Sequence, residues 1–488
     1  MHKTTFSSHT KRFIHILLII LTTMFLFACQ DSEEPEDIET YEIKPYVTKG
    51  NQSLLLQEEQ SFTTTLDQEI LSQKILIDTQ TTYQVMDGFG AALTESSAYL
   101  ISSLPDEQRQ ALLIDLFSKT EGIGIDFIRI PMGASDFALN TYSYNDMPTG
   151  STDLALENFS LERDETYTIP ILKEALSINP QIKLIGSPWS APAWMKDNRS
   201  MNGGSLLPIY YDVYANYFLK FIEGYHAHGL PIYAITPQNE PLHQTSNYPT
   251  MYMSVQQQIA FIERLAPTLR NAGFDTLIIA YDHNWDQFMY PTAILNNEVI
   301  RDDVAGTAFH CYGGDVSSQD VLNQAHPDKG IWFTECSGGR WANNFLSNMQ
   351  WNMENIFIGS INYHSKGVLL WNLALDDQDG PTNGGCTNCR GVITIHDDGT
   401  YSKNVEYYSI AHFSKFVIPG AKRIFVESNR SDVIATGFLN PDASMVVVLH
   451  NKNYSGQSFN LEIDGVLAEY RIPPYTTVTL VINEITHA

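Results

Sequence analysis

Eight short apolar runs, separated by stretches with helical spacing, predict an α/β chain built around a (β/α)8 barrel. After Pro419 the pattern changes to closely spaced β-rich runs with no helix between them, which predicts an antiparallel β-sandwich beside the barrel. Two of the eight runs lead into a glutamate. Ile232-Tyr233-Ala234-Ile235 continues through Thr236-Pro237-Gln238-Asn239 to Glu240 and Pro241, and Ile331-Trp332-Phe333-Thr334 ends at Glu335. The carboxyl-terminal rim is where a barrel keeps its chemistry.

Residues 1–29 read as an export signal. Lys3, Lys11 and Arg12 form a basic start, and Phe13 to Ala28 is an apolar run too short for a comfortable membrane span. The ending Leu26-Phe27-Ala28-Cys29 resembles a bacterial lipobox, so Cys29 is the expected lipidation site and a bacterial cell envelope the expected location. A plain cleaved signal, giving a secreted protein, is the alternative. Residues 30–52 are expected to be an acidic tether. Residues 53–82 carry strand-like runs without partner helices and are expected to join the sandwich.

The barrel is assigned to residues 83–418. Its strands are expected at Gly88–Leu93, Ile125–Met132, Ile182–Ser187, Ile232–Thr236, Leu277–Tyr281, Thr307–Tyr312, Ile331–Thr334 and Val368–Leu373. Continuous apolar runs of this length suit strands covered on both faces. Between them, Ser103 with Asp106 and Glu107 signals one helix start. Tyr211, Tyr214, Phe218 and Phe221 mark a second helix, and Val255–Asn271 a third. Residues 419–488 form the sandwich, with turns at Asn440-Pro441-Asp442 and Asp464-Gly465.

The 488 residues carry 56 acidic and 29 basic side chains, a net charge of -27. That field repels phosphate and so excludes nucleic acid as a partner. It also disfavours polyanionic glycans and anionic lipid surfaces, and it fits a neutral substrate. Five cysteines are present. Cys386 and Cys389 form a lone C-x-x-C, and with no second pair to complete a zinc site a short disulfide is expected in an exported chain. Cys311 and Cys336 each follow an inward-pointing position, so alternation turns them away from the barrel axis, and they are expected as buried free thiols. Asp376-Asp377-Gln378-Asp379-Gly380 imitates part of a calcium loop but lacks its final acidic ligand, and a solvated loop is expected.

The two glutamates fall after the fourth and seventh strands, which face each other across a closed eight-strand barrel. Paired carboxylates at such a mouth suit glycoside hydrolysis, one protonating the departing oxygen and the other acting on the anomeric carbon. The acid is expected to have a raised pKa, so that it holds its proton near neutral pH. That chemistry requires no metal and no cofactor. The rival from another class is a surface lipoprotein that binds glycan without turnover.

A series of motifs carries a resemblance to glycoside hydrolase family 30, which includes glucosylceramidases and endo-β-1,6-glucanases. They are Asp87-Gly88-Phe89-Gly90, Arg129-Ile130-Pro131-Met132-Gly133, Ser135-Asp136-Phe137, Ser187-Pro188-Trp189-Ser190-Ala191-Pro192, Gln238-Asn239-Glu240-Pro241, His310-Cys311-Tyr312, Thr334-Glu335, Trp371-Asn372-Leu373-Ala374-Leu375 and His412-Phe413-Ser414-Lys415-Phe416. The resemblance implies a retaining hydrolase with Glu240 as acid/base and Glu335 as nucleophile. It implies that Asn239 bonds the sugar 2-hydroxyl, that Asp136 accepts from hydroxyls far from the scissile bond, and that Trp189 and Trp371 pack on or beside the ring. Tyr312 is expected to hold Glu335 in place. Arg129, buried on the second strand, is expected to pair with a carboxylate near the mouth, with Glu335 as the candidate. His310 is left open between a core histidine and a site residue. The expected substrate is a neutral β-glucan, β-1,6-linked, with glucosylceramide as the alternative. The choice rests on loops such as 140–153 and 376–390.

Overall fold

The computed structural model describes residues 40–65 and 68–485. The export signal, Cys29 and the tether up to residue 39 lie outside the described residues. Among the described residues, no helix is long and apolar enough to cross a membrane.

Eight parallel strands close into a barrel in sequence order, the last beside the first. They are Gly88–Ala92, Phe127–Pro131, Lys183–Ser187, Ile232–Ile235, Leu277–Asn284, Gly306–His310, Gly330–Glu335 and Ser365–Asn372. Their apolar side chains divide as a closed barrel demands. Phe127, Ile185, Ala234, Ile279, Ala308, Trp332 and Leu369 form one buried cluster, with a residue from seven of the strands. Alternate residues such as Ile128, Leu184, Ile278 and Phe333 pack into the larger cluster shared with the surrounding helices.

Two of those helices show how the sequence sets their ends. Val255–Asn271 begins with a capping box in which Ser254 and Gln257 bond each other's backbone N–H. Asp106–Phe117 begins after Pro105, which fixes the entry angle without a side-chain cap. Ser103 therefore does not cap it. It ends the preceding helix, Glu95–Ser103, and its hydroxyl donates to Tyr99 O at 2.7 Å.

The fifth and seventh strands are locally irregular. Register passes from Ala308↔Tyr281 to Phe309↔His283, which leaves Asp282 bulged out of the fifth strand. It passes from Phe309↔Phe333 to His310↔Glu335, which does the same to Thr334. Tyr281 and Asp282 both take the left-handed backbone region, at φ 74° and 67°. A bulge re-aims a side chain, and here it brings Asp282 and Thr334 together beneath the rim.

The second domain is the expected β-sandwich: its ten strands are hydrogen-bonded into one continuous sheet whose apolar side chains share a core. The strand Tyr41–Lys49 pairs along its whole length with Thr476–Glu484, and Lys74–Val85 lies between Lys422–Ser428 and Gln457–Ile463. The last of these pairings is parallel; its neighbours are antiparallel. Ile43, Val447 and Leu480 share a core with Ile75, Phe459 and Leu461, so strands from before and after the barrel build one domain. This corrects the expected bounds of the tether, because Tyr41–Lys49 is a strand of the domain. Tyr41, Ile43, Pro45 and Val47 alternate inward, and Pro45 interrupts what otherwise reads as a strand.

Candidate active site

Glu335 is the last residue of the seventh strand. Glu240 lies five residues past the end of the fourth, on a tip held by three backbone bonds. Asn239 N donates to Pro188 O, Glu240 N to Asp282 O and His243 N to Glu240 O, each at 2.9 Å. Glu240 itself takes a left-handed conformation, φ 47°, which costs a non-glycine residue about 1–2 kcal/mol. The surrounding bonds fix the backbone in that form. A carboxylate oxygen of Glu240, one of Glu335 and a ring nitrogen of His310 all lie within 4.8 Å of one another.

Arg129, fully buried on the second strand, organises the floor. Its Nη1 donates to Glu335 Oε2 at 2.5 Å, and its Nη2 donates to Asp282 Oδ2 and Asn239 Oδ1, each at 2.7 Å. Burial opposes the guanidinium charge, but Asp282 and Glu335 more than offset this and raise its pKa. Tyr312 donates to the other oxygen of Glu335 at 2.9 Å. Glu335 therefore has a donor on each oxygen, the setting of an ionised carboxylate. Asn239 gives its side-chain oxygen to Arg129, so it presents an amide donor to the cavity.

Asp282 is a central residue of the site that sequence reasoning missed. It is fully buried and faces Arg129, His310 and the hydroxyls of Ser187, Thr236 and Thr334 at 2.6–2.9 Å. Burial pushes its pKa up, but Arg129 and His310 hold it well below the usual carboxylate range. It is therefore an anion, and the His310 Nε2 facing it must carry a proton. His310 Nδ1 lies 3.1 Å from Glu240 Oε1. His310 is thus both a buried core histidine and part of the site. Its pKa is raised to about 9, with burial opposing this and Glu335, Asp282 and Glu240 outweighing burial.

The expected raised pKa of Glu240 alone needs correction. Burial pushes Glu240 up, but the His310 bond and the nearby His283 bring it down to about 2. Burial raises Glu335, and His310 and Arg129 pull it back only in part. The high histidine and low glutamate describe one proton in the Glu240–His310 hydrogen bond. The two groups titrate as a unit that holds that proton at neutral pH. The three ligating atoms also have the spacing of a metal site. However, both His310 nitrogens and both Glu335 oxygens already have partners within the protein.

Above the carboxylates is a cavity of about 430 Å³ lined by Asp136, Trp189, Asn239, Tyr312 and Trp371 among others. Trp189 and Trp371 stack with centroids 5.0 Å apart, and Arg129 lies 4.8 Å from the Trp189 ring centre. Burial, followed by the charge of Glu335, pushes the Asp136 carboxyl well above its ordinary value. His283, His243, Tyr248 and Trp341 also line the cavity, and the sequence reading named none of them.

Two disulfides brace the rim. Cys386–Cys389 closes the loop after the eighth strand. Cys311–Cys336 replaces the pair of free thiols expected there. Cys336 packs in, and Cys311 against, the core shared with the surrounding helices. They also directly follow His310 and Glu335, which are in register on neighbouring strands, so their side chains meet. That equal offset was the available signal. The acidic loop 376–380 is solvated only in part: Gln378 is exposed and Asp376 and Asp377 are half-buried, whereas Asp379 is buried. Asp379 pairs with Arg340 at 2.5 Å, Asp377 with His396 at 2.7 Å, and Asp376 accepts two backbone N–H bonds at 2.8 Å.

Comparison with known proteins agrees with this geometry. The glycosyl hydrolase family 30 TIM-barrel domain matches residues 86–417, and that family's β-sandwich domain matches residues 420–480. An endo-1,6-β-D-glucanase of Neurospora crassa is 37% identical over 388 residues, covering 76% of this chain and 79% of the relative. The lysosomal acid glucosylceramidase of Mus musculus is 32% identical over 397 residues, 76% of each chain. The solved endo-β1,6-glucanase BT3312 superposes with a TM-score of 0.83 at 35% identity, covering 90% of this chain and 99% of that one. With both domain types matched in order and a carboxylate pair at the barrel mouth, the chain belongs to glycosyl hydrolase family 30 and is an O-glycosyl hydrolase.

Proposed function

We propose that this chain is a retaining hydrolase of β-glucosidic bonds in a neutral β-1,6-linked glucan, with Glu335 as nucleophile and Glu240 as acid/base. The carboxylate separation carries the stereochemical reading. Oxygens within 4.8 Å suit a nucleophile placed directly on the anomeric carbon, whereas inverting pairs stand about 6.5–9.5 Å apart to admit a water. In the first step Glu335 attacks the anomeric carbon and forms a glycosyl ester. The departing oxygen takes the proton held between Glu240 and His310. In the second step Glu240 removes a proton from water, which attacks the same carbon and frees Glu335. Two inversions give retention.

The β-1,6 linkage is supported by the names of relatives such as the Neurospora crassa enzyme and BT3312. The net charge of -27 also suits a neutral polymer better than extraction of lipid from an anionic membrane. The similarity to a glucosylceramidase keeps glucosylceramide as the second reading. Anchoring through a lipidated Cys29 on a bacterial envelope belongs to the same proposal and rests on the Leu26-Phe27-Ala28-Cys29 motif. The test of substrate is competition between β-1,6-glucan and glucosylceramide in detergent, read as kcat/KM. Preference for the glucan supports the proposal and preference for the glycolipid overturns its substrate.

A further inference from the structure

Trp341 has no evident structural role. Of seven tryptophans, five are buried, Trp351 is 42% exposed and Trp341 is 57% exposed. Trp341 belongs to none of the hydrophobic core clusters, yet it lines the catalytic cavity together with Glu240 and Glu335. Its ring lies against the Cα of Gly339, where any Cβ would collide with it. One face of the indole is thereby supported by backbone.

The turn that carries it is fixed from several sides. Gly338 and Gly339 pair with Arg390 and Cys389 in a short antiparallel ladder, so the loops after the seventh and eighth strands form one unit. Arg340 N donates to Asn388 O at 2.9 Å, and its guanidinium pairs with Asp379 at 2.5 Å. Arg390 pairs with Glu406 at 2.6 Å and donates to Ala342 O at 3.4 Å. An exposed aromatic on a backbone held this firmly is preorganised for a ligand.

The walls of the cavity show which part of the ligand it meets. Trp189, Trp371 and Asp136 enclose one side. The disulfide loop packs onto this side, where Gly384 abuts the Asn247 carbonyl and Gly385 abuts the Asp136 side chain so closely that neither could carry a Cβ. Of the aromatic side chains that line the cavity, Trp189 and Trp371 are each 3% exposed, whereas Tyr312 is 47% and Trp341 57% exposed, so these two stand at its open end. We infer that Trp341 is the platform for the glucosyl unit on the leaving-group side of the scissile bond, its aromatic face packing on that sugar. This rests on the hydrolase reading above and adds a specificity-determining residue to it.

The test compares two substrates that differ only in what leaves. β-1,6-glucan places a sugar on Trp341. Glucosyl and gentiobiosyl β-fluorides place nothing there. Trp341→Ala should lower kcat/KM on the glucan ten-fold or more, leave both fluorides within two-fold, and leave Tm unchanged. Trp341→Phe should recover most of the loss. An equal loss on glucan and fluorides, or no loss on glucan, overturns the role of Trp341 while leaving the hydrolase reading in place. No turnover of any of these substrates by the unmodified enzyme overturns the hydrolase reading and this inference with it.

Discussion

His310 Nδ1 faces Glu240 Oε1 at 3.1 Å, while the opposite ring nitrogen is committed to the Asp282 anion. In the proposed mechanism the acid is therefore a glutamate and a histidine sharing one proton. With His310 at about 9, the proton is present below that value and is lost as pH rises through it. The stability that His310 gains from its partners follows the same sign: present below its unfolded pKa and lost on passing about 9. The alkaline limb of kcat/KM should reflect this proton. His310→Gln leaves Glu240 to hold a proton unaided and should move that limb down by about two pH units. An unmoved limb in a pH profile of the variant would show that Glu240 does not depend on His310.

Asp282 links both carboxylates, through Arg129 to Glu335 and through His310 to Glu240. Asp282→Asn keeps the shape and removes the charge. Arg129 then loses one of its two buried counter-charges, a loss of about 3–5 kcal/mol by analogy with broken buried ion pairs. Denaturant unfolding should show a loss of that order, together with a fall in kcat. A variant of unchanged stability would mean that Asp282 is protonated in the folded enzyme.

Glu240→Gln should separate substrates by the basicity of their leaving group. Acid assistance contributes about 10²–10⁴-fold where the departing oxygen is basic and little where it is an acidic phenol. The variant should thus lose that factor on glucan, still form the intermediate from a dinitrophenyl glucoside, and regain turnover with azide. Equal losses on both substrates would remove Glu240 from the acid role.

The glutamates were legible because each follows a buried run that stops at the barrel rim. Asp282 was not, because the run Leu277–Tyr281 reads as complete before it, and only a bulge with two left-handed residues turns the next side chain inward. Cys311 and Cys336 show the same limit. Alternation along one strand gives the direction of a side chain, whereas meeting its partner depends on register between strands. Tyr41–Lys49 was hidden by Pro45 and by acidic neighbours, although its apolar residues alternate. Trp341 could not be found by periodicity, since it belongs to no strand or helix.

Thiol counting on unreduced, denatured protein should find no reactive thiol among Cys311, Cys336, Cys386 and Cys389. Two reactive thiols mapped to Cys311 and Cys336 would restore the reading made from alternation alone. The bridge between them lies directly beside Glu335 and Tyr312. Its removal by paired Ser substitutions should lower stability by about 2–4 kcal/mol, measured by denaturant unfolding.

The central claim is that Glu335, held by Arg129 and Tyr312, attacks the anomeric carbon. A 2-fluoro-glucosyl or 2-fluoro-gentiobiosyl donor with a good leaving group forms the ester and slows its hydrolysis, so the nucleophile stays labelled. Peptide mapping should find the sugar on Glu335, and proton NMR of the first product should show the β anomer. A label on another carboxylate, or a product of inverted configuration, would contradict the account.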